Sequence, residues 1–543
     1  MSWRNIFKKE ILKDKLNKYE FYFFYLILVI NLIPVLVFKF FPTVDGPAHL
    51  YNSNLIIELL GQNNLLNNYF TINEITANCL GHGILSVFQL IFPAYIAEKC
   101  LLLIYFVGFP ISFRALIKTQ SNINRSLIYF VFPFTYSFLL YYGFYNFHIG
   151  LVLFFWALYL WVKHKNEYTI RRTLYLLILT TLMCLSHLFV FAMFLLVLVI
   201  LNVSELKFQY KSNKIIRKRL FKNLLYQFFF ISVGLILMFK FIFFNNQGNS
   251  ISTYIKSSDL LTWLVQIQPA KGIEYGKEGT FTRWIFILLI LLILYILYVK
   301  VKRFFFSQSK DDNTNLVKHK NNSWLLISCI FLVCLFIFPD SKGAAVGFIS
   351  SRMILFFFLF LIIWLSTYKV PVWLNIIVFI LINYVNIALV KVYYNSSKEN
   401  NIITNEIYQA SLKIDPYKTV LPINNSDNWL CTHISNYLGA EKPMVILENY
   451  EASLGHFPLK WNYDKFPNLY FGEVLPQSGC ISWESNVNND VAVIDYIFIL
   501  NGEQKTISVD CENKIFDILA NDYIEVYKSE DNNILLYKFK SDN

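Results

Sequence analysis

The sequence predicts a polytopic α-helical membrane protein, with about 11 transmembrane helices in residues 1–392 and a soluble α+β domain in residues 393–543. Three observations carry that expectation. Of 543 residues, 56% are hydrophobic, 18% aromatic and only 15% charged, a balance too apolar for a soluble chain of this length. Apolar runs long enough to span a bilayer recur from Phe21 onward and cease near residue 392. The charge divides at the same place: residues 1–392 hold 37 Lys and Arg against 15 Asp and Glu, and residues 393–543 hold 11 against 21. A basic membrane portion and an acidic tail fit positively biased cytoplasmic loops and a solvated outer domain. The overall charge of +12 therefore does not mark a nucleic-acid binder, since no basic patch interleaved with aromatic residues remains.

The N-terminal segment carries Arg4, Lys8, Lys9, Lys13, Lys15 and Lys18 ahead of the apolar run Phe21–Phe41. That run is too long for a signal-peptide core and lacks a small-residue cleavage site, so it reads as an uncleaved anchor with a cytoplasmic N-terminus. No Lys or Arg stands between Lys39 and Lys99, as in a translocated loop. Within that loop His49–Leu60 is amphipathic and Asn78–Phe92 is apolar but short of a full span, so both are expected as interfacial helices. Charge alternation then sets spans at 94–117, 126–142, 144–162, 224–244, 281–299, 323–338, 352–368 and 371–392. The run 173–201 is split at Ser186-His187 into two short helices, because one span would carry the basic cluster from Lys207 to Lys222 outside. The tail then ends up extracytoplasmic. A composition rich in Asn, Lys, Ile and Phe leans towards a bacterial inner (plasma) membrane.

In the tail, Pro443–Glu448, Val491–Leu500, Tyr523–Tyr527 and Ile534–Phe539 read as short strands between Gly, Asn and Asp turns, with a helix at Ile402–Leu412. It contains no phosphate loop, no GxSxG, no HExxH and no dinucleotide fingerprint, so docking or substrate shaping is expected of it rather than independent catalysis. The eight cysteines include no CxxC pair, which argues against a structural zinc site. Outside the cell one disulfide is open to Cys431, Cys480 and Cys511; pairing Cys480 with Cys511 leaves Cys431 over, and spacing does not fix the choice.

The stretch that bears most on function is Pro42-Thr43-Val44-Asp45-Gly46-Pro47-Ala48-His49, at the outer mouth of the first span. Gly46-Pro47 opens a helix, and residues four apart on a helix point the same way, so His49 stands one turn above Asp45. An ordinary helix cap accounts for Asp45 but not for His49. The alternative is a general base that takes the proton of an acceptor hydroxyl as it attacks a sugar carbon. His49 then binds a phosphate oxygen, orients the carboxylate, or joins Asp45 in holding a divalent cation, although two ligands alone do not define a metal. Glu74 in the same loop is a candidate second acid, against a solvated loop glutamate. His148, where two spans turn around outside, is a candidate substrate contact, against a lipid-headgroup contact. His82, in Leu80-Gly-His-Gly, reads as the polar residue at an interfacial helix start, against a functional role, and His187 marks the tip of the proposed helical hairpin, where a structural role is expected. Arg352 opens a span, where its fork suits a lipid-linked phosphate and snorkelling is the plainer alternative.

The layout resembles the GT-C superfamily of membrane glycosyltransferases, which includes the protein O-mannosyltransferases and the lipid A aminoarabinose transferases. The resemblance rests on the cytoplasmic N-terminus, a first outer loop opening on an acid (here Asp45), interfacial helices in that loop, many spans and an outer C-terminal domain. It departs at Gly46-Pro47, where a second acid often follows the first. It implies a polyprenyl-phosphate sugar donor entering from the membrane lipid, a glycan, lipid or protein acceptor, Asp45 as base and Arg352 on the donor phosphate. Two other classes stay open: a transporter or flippase of lipid-linked glycans, for which no second copy of the first six spans is found, and an oligosaccharide polymerase or ligase.

Overall fold

The computed structural model describes residues 3–62, 65–73, 77–120, 125–165, 167, 169–209, 214–244, 251–306, 312–343, 347–462, 494–501 and 519–540. Its helices are α1 (Trp3–Leu36), α2 (Gly46–Leu60), α3 (Leu80–Gln89), α4 (Ala94–Gln120), α5 (Phe138–Tyr141), α6 (Tyr145–Lys163), α7 (Ile170–Ser186) and α8 (Leu188–Gln209). They continue with α9 (Lys214–Phe244), α10 (Ser257–Val265), α11 (Tyr275–Phe306), α12 (Asp312–Ile337), α13 (Ile349–Ser366), α14 (Val372–Ser411) and α15 (Tyr450–Ser453). The strands are β1 (Phe70–Ile72), β2 (Ser252–Thr253), β3 (Ser341–Lys342), β4 (Thr419–Asn424), β5 (Val445–Ile446), β6 (Leu459–Trp461), β7 (Tyr496–Leu500), β8 (Tyr523–Lys528) and β9 (Ile534–Phe539).

Among the described residues eight helices are long and apolar enough to cross a membrane: α1 from Tyr19, α4, α6, α8, α9, α11, α13 and α14. Three of the eleven expected spans fall short. Residues 126–142 form a 3-10 segment, Arg125–Phe134, and then the single turn α5, because Pro133 and the Ser137 cap interrupt a continuous helix. The first half of the split run is α7, only 17 residues long, and the apolar part of α12 is Asn322–Ile337. The split itself is present: α7 ends at Ser186, α8 begins at Leu188, and His187 lies extended between them at φ −159°.

The division expected at residue 392 falls inside one helix. α14 runs for 40 residues, and the helix expected at Ile402–Leu412 is its last part. No Gly or Pro occurs between Tyr393 and Pro416, so nothing in the chain stops the helix where its apolar stretch gives out. Beyond it lies a five-stranded mixed sheet in the order β5-β4-β7-β9-β8, with β4 parallel to β5 and β7, and β9 antiparallel to β7 and β8. Central strand β4 was hidden from sequence by Pro422. Its lost N–H is tolerated because β5 pairs only with Thr419 and Val420, which leaves that side of Pro422 without a partner strand.

Several contacts join the first loop to the residues beyond α14, among them a strand pair and a tyrosine bridge. Strands β1 and β6 pair antiparallel, and Phe70 stacks on Trp461 with ring centroids 4.5 Å apart. The Tyr51 hydroxyl, on α2, donates to the Met444 carbonyl at 2.8 Å and accepts from the Ile446 N–H at 2.9 Å. Helix α2 is accordingly buried from Gly46 to Ser53, so protein covers the face expected on a lipid surface. The end of α3 does keep the apolar exposure expected of an interfacial helix, at Val87, Leu90 and Ile91. The expected Cys480–Cys511 pairing lies outside the described residues, and Cys431 is a buried free thiol.

Candidate functional site

Pro47 at the start of α2 puts Asp45 at the cap position, yet its side chain makes no capping hydrogen bond. The plain-cap reading therefore leaves the carboxylate unexplained. It is only 6% exposed. The Tyr450 phenol, buried and without a hydrogen-bond partner of its own among the described residues, lies close enough to act on it electrostatically, and the Asp45 backbone N–H donates to the Tyr142 carbonyl at 3.1 Å. Burial pushes the Asp45 carboxyl up to about 6, against the downward pull of His433 and His49.

His49 stands one helical turn on, its N–H donating to the Asp45 carbonyl at 3.0 Å. Its Nε2 lies 3.0 Å from the Gly143 carbonyl. Nδ1 lies 2.6 Å from Glu451 Oε1 and 3.2 Å from His82 Nε2, and His82 Nε2 is 2.9 Å from Glu451 Oε2. All three side chains are buried. Burial opposes charge on both His49 and Glu451, but their mutual attraction outweighs it. The imidazole is held above its usual value, and the carboxyl, flanked also by His82, well below the usual carboxylate range. Glu451 rides on the single turn α15, where the Asn449 side chain caps Ala452 and pairs amide to amide with Asn52 of α2. Among the described residues, His49, His82 and Glu451 form a group whose ligand atoms all lie within 4.8 Å of one another. Asp45 falls outside it.

Behind Tyr450 lies a second buried pair. His433 Nδ1 is 2.6 Å from Glu448 Oε1, and its ring stacks on Tyr450 at 4.1 Å. Ser435 also donates to Glu448. Burial opposes charge on His433, and Glu448 overcomes it, so the imidazole is raised. Glu448, Tyr450 and Glu451 escaped the sequence reading. The available signal was a run of polar and acidic residues, Glu448-Asn449-Tyr450-Glu451, directly after the buried strand Val445–Ile446.

Arg352 occupies the first turn of α13 and is 6% exposed. Its guanidinium lies over the rings of Phe144, Phe147 and Phe189 at 5.0, 5.3 and 5.7 Å. Its Nε has no hydrogen-bond partner, and among the described residues no carboxylate lies within 4 Å of it. A snorkelling arginine would reach water, and this one is enclosed. His148 is differently placed: Nδ1 meets the Phe144 carbonyl at 2.8 Å and Nε2 meets Ser137 Oγ at 3.1 Å, so both ring nitrogens are committed within the protein. His187 rests edge-on against Phe147.

One turn collects these groups. The carbonyls of Tyr142 and Gly143 hold Asp45 and His49, the rings of Phe144 and Phe147 support Arg352, and His148 closes back on Phe144. Glu74 lies outside the described residues. The arrangement offers a buried carboxylate, a histidine–carboxylate cluster and an enclosed cation at the head of a helical bundle. Neither a family model nor a curated protein matches this sequence.

Proposed function

We propose that the protein is an integral membrane glycosyltransferase that moves a sugar from a polyprenyl-phosphate donor to an extracytoplasmic glycan, lipid or protein acceptor. The observation that carries this reading is Asp45, a buried acid at a helix start whose side chain caps nothing. A carboxyl pushed up to about 6 is mostly ionised at neutral pH yet more basic than an exposed aspartate, as a general base requires. Asp45 takes the proton from the acceptor hydroxyl as its oxygen bonds to the anomeric carbon. The bond from that carbon to the donor phosphate oxygen breaks, and its electron pair leaves on the phosphate. Arg352, enclosed and with no carboxylate within 4 Å among the described residues, pairs that growing charge. A long prenyl chain cannot leave the bilayer, so a site at the head of apolar helices suits the donor. In this reading the shorter apolar segments complete eleven crossings, the N-terminus is cytoplasmic, and the sheet beyond α14 is an outer α+β domain.

The test is Asp45→Asn in proteoliposomes supplied with a panel of polyprenyl-phosphate sugars, with release of polyprenyl phosphate as the readout. Transfer by the wild type, lost in a variant that inserts and folds normally, is the expected result. Unchanged transfer removes Asp45 from the mechanism, and lipid flipping without transfer by the wild type makes the protein a transporter.

A further inference from the structure

The contact between His49 and Glu451 needs a positive charge between the two groups, carried either by a proton on His49 Nδ1 or by a bound cation. The His49 Nε2–H donates to the Gly143 carbonyl at 3.0 Å, so a neutral His49 presents a lone pair at Nδ1. That lone pair stands 2.6 Å from Glu451 Oε1, itself a buried oxygen without a hydrogen bond. Two lone pairs at that separation repel unless a cation or a shared proton lies between them. A third donor points to the cation. His82 Nε2 closes on the same spot, 3.2 Å from His49 Nδ1 and 2.9 Å from Glu451 Oε2. No contact at its Nδ1 fixes a proton onto Nε2, which is free to turn its own lone pair inward.

Bonds of about 2.0–2.1 Å to a tetrahedral zinc ion put neighbouring ligand atoms about 3.3 Å apart; His49 Nδ1 and His82 Nε2 already stand at 3.2 Å, and the two contacts to Glu451, at 2.6 and 2.9 Å, must widen to take the ion. Two imidazole nitrogens and one carboxylate oxygen suit a borderline cation such as zinc better than calcium or magnesium, which take all-oxygen shells. The outer contacts have the form such ligands need: a backbone carbonyl on the far nitrogen of His49, and the Asn52 amide, 2.6 Å from Glu451 Oε2, orienting the carboxylate.

We propose that His49, His82 and Glu451 bind one zinc ion, clamping α2 and α3 of the first loop onto α15 and leaving a fourth position open. This assignment does not rest on the transferase reading. Its test uses the full chain, purified in detergent with a tag that contains no histidine. Zinc is measured by elemental analysis, and Co2+ alone is titrated into the chelator-stripped protein. The expected result is about one zinc per chain and a visible d–d absorption from tetrahedral cobalt. Both should be lost in His49→Gln and His82→Gln and kept in His433→Gln, a buried histidine outside the group. A folded wild type that holds no zinc and gives no cobalt band overturns the proposal in favour of a shared proton. Stoichiometric metal that survives both substitutions overturns it as well. If either variant fails to fold, melting of the wild type decides: added Zn2+ must raise its midpoint, and no shift overturns the site.

Discussion

Gly143 backs directly onto Asp45: a β-carbon placed on Gly143 would stand 2.6 Å from the Asp45 backbone nitrogen and 2.7 Å from its Cβ. Gly143 also sits at φ +94°, where any other L-residue is strained. The glycine thus permits the turn that presents its carbonyl to His49 while Asp45 packs against its α-carbon. Gly143→Ala is expected to cost about 2 kcal/mol or more from strain and displacement, and to abolish activity in the fraction that still inserts. Thermal melting and sugar transfer, measured together, check this. A variant that kept both at wild-type values would show that the close approach is not needed.

Arg352 separates a charge requirement from a geometric one. Arg352→Gln removes the cation, whereas Arg352→Lys keeps a point charge but loses the planar fork that takes two phosphate oxygens at once. Loss of a hydrogen bond to a charged group costs roughly 1.5–3 kcal/mol, so kcat/KM for the lipid-phosphate donor should fall about 10- to 100-fold in the glutamine variant. The lysine variant should recover only part of that loss. Equal losses with both variants in a chain that melts normally would support the fork, and full recovery by lysine would reduce Arg352 to an electrostatic partner.

Stability should fall with rising pH through His433. Burial opposes its charge, but Glu448 at 2.6 Å holds its imidazole above the usual value. A raised histidine binds its proton more tightly in the folded state, so its contribution is fully present below about 6.5 and is lost as pH rises through the folded value. Removing one partner of a buried pair costs about 3 kcal/mol. His433→Gln should therefore melt well below the wild type at pH 6, and the gap should narrow by pH 9. A gap that is constant with pH would mean the pair is not charged.

How far the site was legible in sequence depends on the range of its contacts. Asp45, His49 and Arg352 each lie where an apolar run starts or stops, and an ionisable residue at such a place stands out against its neighbours. The Gly46-Pro47 start of α2 follows from local chemistry in the same way, whereas the break at His187 was legible only from the basic cluster between Lys207 and Lys222. Glu451 and Tyr450 gave only the weaker sign of a polar run after a short apolar strand, and His433 gave none, because their partners arrive only when the chain folds across the 402-residue separation between His49 and Glu451. Strands β1 and β6 were equally hidden, each being only three residues long. The boundary expected at residue 392 marks where apolarity ends, and α14 runs through it to Ser411, stopping only where the chain meets a turn near Pro416.

The pairing of β1 with β6 predicts where the site loosens first. Phe70 and Trp461 are both buried and stacked, and the Trp461 indole N–H donates to Ser453 Oγ on α15 at 3.2 Å. The strand pair, three residues on each side, is short for independent stability, so the ring stack and the indole bond add to the flanking hydrogen bonds from the Asn73 N–H to the Pro458 carbonyl and from the Asn462 N–H to the Tyr69 carbonyl in securing it. Truncating a buried aromatic costs about 3–5 kcal/mol. Trp461→Ala should therefore free β1, β6 and α15 together while the spanning helices, which pack chiefly on one another, stay packed. Hydrogen exchange is expected to rise at residues 70–72 and 450–453 and to stay unchanged in α6 and α13. Trp461→Phe retains the stack and loses only the indole bond, so its exchange should fall between the two. Uniform loss of protection in Trp461→Ala would instead make the clamp part of one cooperative unit with the bundle, and protection that did not change at 450–453 would separate α15, and with it Glu451, from the clamp.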